Sequence, residues 1–181
     1  MELWDLYTRD RERTGETMVR GAPPTDGRYH LVVHVCIFNS NNQMLIQQRQ
    51  PFKSGWSNLW DVTVGGSAVA GDNSQRAAER EVAEELGYSL SLKDEMPALT
   101  LYFSHGFDDV YVLEREIDLN ALRLQPEEVQ AVRWASLDDI RAMIADGRFI
   151  PYSPVYMELL FSLHATHSFY THGDRTRPTV G

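Results

Sequence analysis

Hydrophobic alternation is clearest at residues 29–49. Leu31, Val33, Val35 and Ile37 alternate with His30, Val32, His34 and Cys36, so each set faces one side of a strand. Asn39-Ser40-Asn41-Asn42 supplies a turn, and Met44-Leu45-Ile46 opens a second strand ending near Arg49. A third strand is expected around Leu59 to Val64. The period then changes. Ala78, Val82 and Leu86, spaced by four, form the apolar stripe of a helix. Beyond a connecting loop, "LTLYFSHG" and "DVYVLEREI" read as two strands, with Gly106-Phe107-Asp108-Asp109 as the hairpin turn between them. A short strand ends near Trp134, and Ser136 is placed to cap a helix that runs to about Ala145 and stops at Gly147. "SPVYMELLFSLHATHSF" predicts a final helix packed on the sheet.

Ahead of this pattern, "LWDLY" and "GETMVR" predict a small hairpin, and "GAPPTDG" (Gly21 to Gly27) reads as a linker. Trp4 and Tyr7 are expected to pack against the domain's own sheet, with a dimer partner or the active site as alternatives. The last residues, "THGDRTRPTVG", read as a disordered tail. The organisation expected is an N-terminal hairpin and linker over residues 1–28, one domain over 29–165, and a flexible tail over 166–181.

Composition narrows the class. A chain of 181 residues, 43% hydrophobic and 24% charged, suits one domain with a sizeable core. The formal net charge is -9, and only Lys53 and Lys93 of the 17 basic residues are lysines. That balance argues against a surface for long DNA or RNA but is compatible with a small phosphorylated substrate bridged by metal. Cys36 is the only cysteine, which excludes an intrachain disulfide and a cysteine-based zinc site. It reads as a small buried hydrophobe. His30 and His34, with no acid nearby in sequence, read as structural residues rather than metal ligands. No basic, apolar leader opens the chain and no run of about 18 apolar residues occurs, so a cytoplasmic location is expected.

The candidate chemistry lies in Gly66 to Tyr88, "GSAVAGDNSQRAAEREVAEELGY". On a helix, Glu81, Glu84 and Glu85 fall within an arc of about 100° beside the apolar stripe. Glu81 and Glu85 are like charges four residues apart, which costs a helix a few tenths of a kcal/mol. A solvated acidic face is the plain reading. The glycine-rich entry favours another, because carboxylates crowded beside a tight backbone loop suit a hard cation such as Mg²⁺. Asp72, followed by Gln75, resembles a capping box at the helix start. Just upstream, Arg49, Lys53, Trp56 and Trp60 bring two positive charges and two rings into one segment. Arg49 is a candidate for holding substrate phosphate and Trp60 for stacking on the organic part, against the alternative of a salt-bridged loop with core tryptophans.

The spacing is specific. Gly66, five residues, Asp72, seven residues, then "REVAEELGY" resembles the Nudix box, with Asp72 in place of glutamate and Tyr88 in place of an aliphatic residue. The resemblance implies an α+β fold, an α/β/α sandwich on a mixed sheet, and an enzyme that uses Mg²⁺ or Mn²⁺ to hydrolyse a diphosphate in a nucleoside diphosphate-X type of substrate. It implies Glu81, Glu84 and Glu85 as metal ligands, with an added oxygen from the Gly65 carbonyl. Arg80 would orient the glutamates. Glu81 and Glu84 are the candidate bases within the box, and Glu128 in "PEEVQAVRW" is a candidate outside it. A homodimer involving the N-terminal hairpin is compatible with this.

Segments outside the box are similar to isopentenyl diphosphate isomerases, a branch of the same fold. "HLVVHVCIFNSNNQMLIQQR…WSNLWD" and "PEEV" carry that likeness. Aligned through "VTVGGSAVAG", the catalytic cysteine of that branch falls on Gly65 and its metal-ligand histidine on Ser67. A glycine has no side chain for proton transfer, so hydrolysis is preferred to isomerisation. A non-catalytic nucleotide-binding module is the third reading, and the intact glutamate cluster speaks against it.

Overall fold

In the computed structural model, which describes residues 2–23 and 26–166, the alternation of residues 30–38 becomes the central strand β3 (His30–Phe38). Val33, Val35 and Ile37 point to one face of the sheet and Cys36 and Phe38 to the other. The sequence supplies apolar side chains on both faces because both are covered. On the first face lies α1 (Ser74–Leu86), whose Ala77, Ala78, Val82 and Leu86 are fully buried against it. On the second lie α2 (Leu137–Ala145) and α3 (Pro154–Thr166), which contribute Ile140, Met143, Met157, Leu160 and Phe161. The result is the expected α/β/α sandwich of an α+β protein.

The sheet is mixed. β4 (Met44–Arg49), β5 (Trp60–Asp61), β6 (Val64–Ser67), β7 (Leu99–Phe103), β8 (Gly106–Glu114) and β9 (Val129–Ala135) complete it around β3. β3 runs parallel to β8 over its whole length, from His30↔Gly106 to Phe38↔Glu114, and its other neighbours are antiparallel. β3 and β4 pair only at Phe38↔Met44 and then diverge. β6 takes the freed half of β3 (Val32↔Ser67 to Val35↔Val64), while β4 pairs with β5 and β9. The site described below opens in this fork.

Two local expectations are corrected. The third strand is divided: β5 pairs with β4, β6 pairs with β3, and the chain crosses between them at Val62-Thr63. Thr63 is fully buried and its hydroxyl bridges the Leu45 carbonyl and the Ile37 amide, stitching the fork closed. The second correction concerns residues 106–109, which are not a turn but the start of β8. The turn is Ser104-His105, closed by Phe103↔Gly106. Gly106 is glycine because a Cβ there would stand 2.4 Å from the Phe103 ring and 2.6 Å from the His30 carbonyl. Asp108 and Asp109 look like turn residues in sequence, yet both are strand residues with tertiary partners.

Asp109 is one of the anchors of the N-terminal hairpin, β1 (Leu3–Tyr7) and β2 (Arg13–Val19). Arg11, in the turn between them, donates to both Asp109 oxygens at 3.0 and 2.7 Å, and Asp109 is 1% exposed. Burial alone would raise the Asp109 carboxyl, but the hydrogen bonds from Arg11 and Thr100 hold it below its usual range. Trp4 stacks on His30 at 4.7 Å, and the Ala70 amide donates to the Leu3 carbonyl. The hairpin therefore packs on the domain's own sheet, as Trp4 and Tyr7 suggested. Arg11→Ala strands a buried carboxylate and is expected to destabilise the protein by about 3 kcal/mol, measurable by urea unfolding. The expected tail at residues 166–181 lies, beyond Thr166, outside the described residues.

Candidate active site

The box helix is held at both ends by residues suited to those positions. Asn73 caps α1, its side chain accepting from the Arg76 amide at 2.8 Å. Gly87 ends it in the left-handed region (φ 64°), and a Cβ there would stand 2.7 Å from Arg123. Asp72 is not the cap. Its carboxylate is taken by Arg80 Nε at 3.0 Å, which is possible because Asn73 already satisfies the helix end.

Arg80 is the hub. Its Nη1 donates to Glu81 at 2.9 Å and Glu84 at 3.1 Å, and its Nη2 donates to the Ser67 carbonyl at 3.1 Å. One guanidinium thus ties the helix to β6, and its planar fork serves several acceptors at once. Glu81 lies across the backbone of Gly66, where a Cβ would be 2.3 Å from its carboxyl carbon. The glycine at that position is required by this approach. Glu85, 6% exposed, faces the same space and accepts from Gln47 Nε2 on β4 at 2.8 Å.

The electrostatics are unusual for a structural helix. Burial pushes the Glu85 carboxyl up to about 8, reinforced by the charges of Glu81, Glu128 and Asp61, against the hydrogen bond from Gln47. Burial also raises Glu81 in spite of Arg80 beside it. Each group is short of positive charge.

The cavity in front of them holds about 380 Å³. Its walls carry Arg20, Arg49 and Lys53 as well as the box carboxylates, Gly65 and Glu128. Lys53 pairs with Glu128 at 2.6 Å, and Arg49 Nε donates to the Gly55 carbonyl at 3.1 Å. Arg80, Glu81, Glu84, Glu85, Gly65, Arg49 and Glu128 thus converge, although they come from separate segments. Trp60 does not line this cavity; its ring lies under Arg133 at 5.1 Å and packs against the second core. Among the described residues no three carboxylates, imidazoles or thiolates stand at ligand geometry around one point. Arg80 and Gln47 hold the glutamates instead. The donor set nonetheless fits a hard divalent cation: it is all oxygen, includes the buried Glu85, and carries more negative charge than its surroundings neutralise.

Several residues escaped the sequence reading. Glu2 and Arg20, from the hairpin, border the cavity, and no local signal announces them. Gln47 and Gln125 are polar residues at positions set by strand pairing and loop packing. His34 does have an acid beside it: its Nδ1 is 2.7 Å from Asp108 Oδ2. The two are 74 residues apart, and only the parallel pairing of β3 with β8 joins them. A Cβ on Gly65 would lie 2.7 Å from the His34 ring, so the imidazole fills the space that a side chain at 65 would need.

Residues 28–153 match the NUDIX domain. The chain belongs to the Nudix family. A relative in Listeria monocytogenes, named an uncharacterized Nudix hydrolase, is 45% identical over 90% of this chain and 95% of its own. A Deinococcus radiodurans crystal structure, that of DR0079, superposes with a TM-score of 0.69 at 26% identity, covering 88% of this chain and 97% of that one. An isopentenyl-diphosphate Delta-isomerase of Pectobacterium atrosepticum is 30% identical over 68% of this chain and 72% of its own, consistent with the similarity to that branch. As a Nudix hydrolase the protein is an enzyme acting on phosphorus-containing anhydrides. No helix among the described residues is long and apolar enough to cross a membrane.

Proposed function

We propose that the protein is a divalent-cation-dependent hydrolase that cleaves the diphosphate linkage of a small substrate of the nucleoside diphosphate-X type. The observation that carries this is Glu85: a buried carboxylate pushed up to about 8, with Gln47 as its donor, in one cavity with Glu81, Arg49 and Lys53. Such a group keeps its proton at neutral pH, and a cation joining it would displace the proton and stabilise the carboxylate. Glu81, Glu84, Glu85 and the Gly65 carbonyl would hold Mg²⁺ or Mn²⁺. When bound, the ion would neutralise phosphate oxygens and acidify a bound water.

The chain's own residues supply the rest. Arg49, Lys53 and Arg20 face the phosphates and offset their charge. Arg80 keeps Glu81 and Glu84 aimed at the cavity. A carboxylate at its rim accepts the proton of the attacking water, with Glu81, Glu84 and Glu128 as the groups within the cavity. Lys53 fixes the position of Glu128.

Isomerisation finds little support. The residue needed at position 65 is glycine, and His34 occupies the space into which a cysteine would project. We take the enzyme to work in the cytoplasm on small molecules, and a homodimer is the assembly to look for by light scattering. The test is a panel of nucleoside diphosphate derivatives incubated with Mg²⁺, Mn²⁺ or EDTA, with phosphate and nucleotide release measured. Turnover that requires the cation is expected. Equal turnover in EDTA, or conversion of isopentenyl to dimethylallyl diphosphate, would overturn the reading.

A further inference from the structure

The strand Gly65–Ser67 is a wall shared by two cavities. Behind the carboxylate cavity lies a second, of about 510 Å³, lined among others by His34, Trp56, Asp61, Ile150, Pro151 and Tyr152. Arg49, Gly65, Gly66 and Ser67 border both. Because two of those residues are glycines, the wall between the cavities is little more than backbone. For a diphosphate held at the box glutamates, the second cavity is the neighbouring space open to the group esterified to it.

Away from Arg49 at its boundary, the polar groups of that cavity carry no net positive charge. Asp61 is 6% exposed. Its Oδ1 accepts from the Tyr152 hydroxyl at 2.8 Å and from the Val62 amide at 2.8 Å. No donor among the described residues reaches its Oδ2. Tyr152 spends its proton on Asp61 and is left with lone pairs. His34 is bound through Nδ1 to Asp108, and in either protonation state the two together carry no net positive charge. Arg49 sits at the boundary, its Nε already donating to Gly55. Trp56, Ile150 and Pro151 complete an apolar surround. Trp56 is held over the mouth, 54% exposed, by a backbone in the left-handed region (φ 52°) that a tryptophan rarely adopts.

We propose that this cavity is the subsite for the organic group of the substrate, and that Asp61 selects there for a group that donates hydrogen bonds and carries no negative charge. The chemistry that fits is a ribosyl or other glycosyl unit, or an amine-bearing group. A hydrocarbon would leave the Asp61 oxygen desolvated and unpaired, and a group ending in phosphate would meet its charge. Tyr152 is a positioning residue, acting through Asp61. The inference rests on the diphosphate reading of the first cavity.

Three diphosphate monoesters separate the possibilities, since each has one organic group: ribose 5-diphosphate, cyclopentylmethyl diphosphate, and ribose 5-diphosphate bearing a second phosphate ester. With Mg²⁺ present, kcat/KM is expected to be about tenfold or more higher for the first than for either other. Asp61→Asn should lower it for the first about tenfold, chiefly through KM, and raise it for the phosphate-bearing ester. Tyr152→Phe should narrow the same ranking and serves as the decisive variant if Asp61→Asn fails to fold by circular dichroism. Hydrolysis of all three within threefold, or a ranking that survives in the folded variant, overturns the inference and leaves the hydrolase reading intact. If none is hydrolysed, the hydrolase reading is the one in difficulty. Calorimetric affinities for the three esters then decide the subsite: the same ranking supports it and equal affinities overturn it.

Discussion

Glu85→Gln is expected to lower kcat/KM by about 10³-fold or more while leaving the fold intact. The carboxylate is the most buried of the box glutamates, and removing a group that neutralises or holds a cation at a reacting phosphate is costly on this scale. The fold should survive because glutamine keeps the shape, and its amide oxygen can still accept from Gln47. Stability without metal should rise, since the penalty of burying an ionisable group at that position is gone. Steady-state kinetics on the substrate that the panel identifies, alongside urea unfolding in EDTA, checks both halves. Wild-type turnover by Glu85→Gln would remove the metal assignment, and a loss of stability would contradict the electrostatic account.

The second large effect is the pH dependence of the metal-free protein. Glu85 has a folded pKa of about 8 against the usual 4.5. The folded state therefore binds more protons than the unfolded state between those values, and stability falls as pH rises through the window. Below pH 4.5 the penalty is absent; at pH 8 it amounts to about 4 kcal/mol. In EDTA the melting temperature should drop from pH 5 to pH 8, and millimolar Mg²⁺ or Mn²⁺ should restore it at the alkaline end. Glu85→Gln should remove the part of that fall due to Glu85, leaving what the raised Glu81 and His34 contribute, and should weaken the effect of metal. A wild-type profile that is flat in EDTA would show that Glu85 is solvated better than its 6% exposure indicates.

Much of the fold was legible from periodicity because the main elements are locally consistent. β3 alternates apolar residues, α1 has its stripe at Ala78, Val82 and Leu86, and Ser136 caps α2 through a capping box with Asp139. The errors fell where a tertiary partner overrode a local preference. Asp108-Asp109 reads as turn chemistry, but His34 and Arg11 from distant segments make these acids strand residues. Asp72 reads as a cap, but Asn73 performs that role and frees Asp72 for Arg80. Leu59 to Val64 reads as one strand, but the fork between β3 and β4 splits it.

The stretch Gly66 to Tyr88 determined by itself that three carboxylates share one side of a helix, since 81, 84 and 85 are neighbours at any helical pitch near 3.6. Helical geometry is local, so spacing suffices. What surrounds those carboxylates was decided only by the tertiary structure. Glu85 is perturbed because β4 and the sheet cover it, Glu81 lies on the Gly66 backbone, and Arg20 arrives from a hairpin some sixty residues away. Desolvation and long-range pairing depend on which segments the fold brings together, and no local pattern records them. The same holds for Asp61, Tyr152 and His34, three polar residues unremarkable in sequence that meet in one cavity behind a strand of glycines.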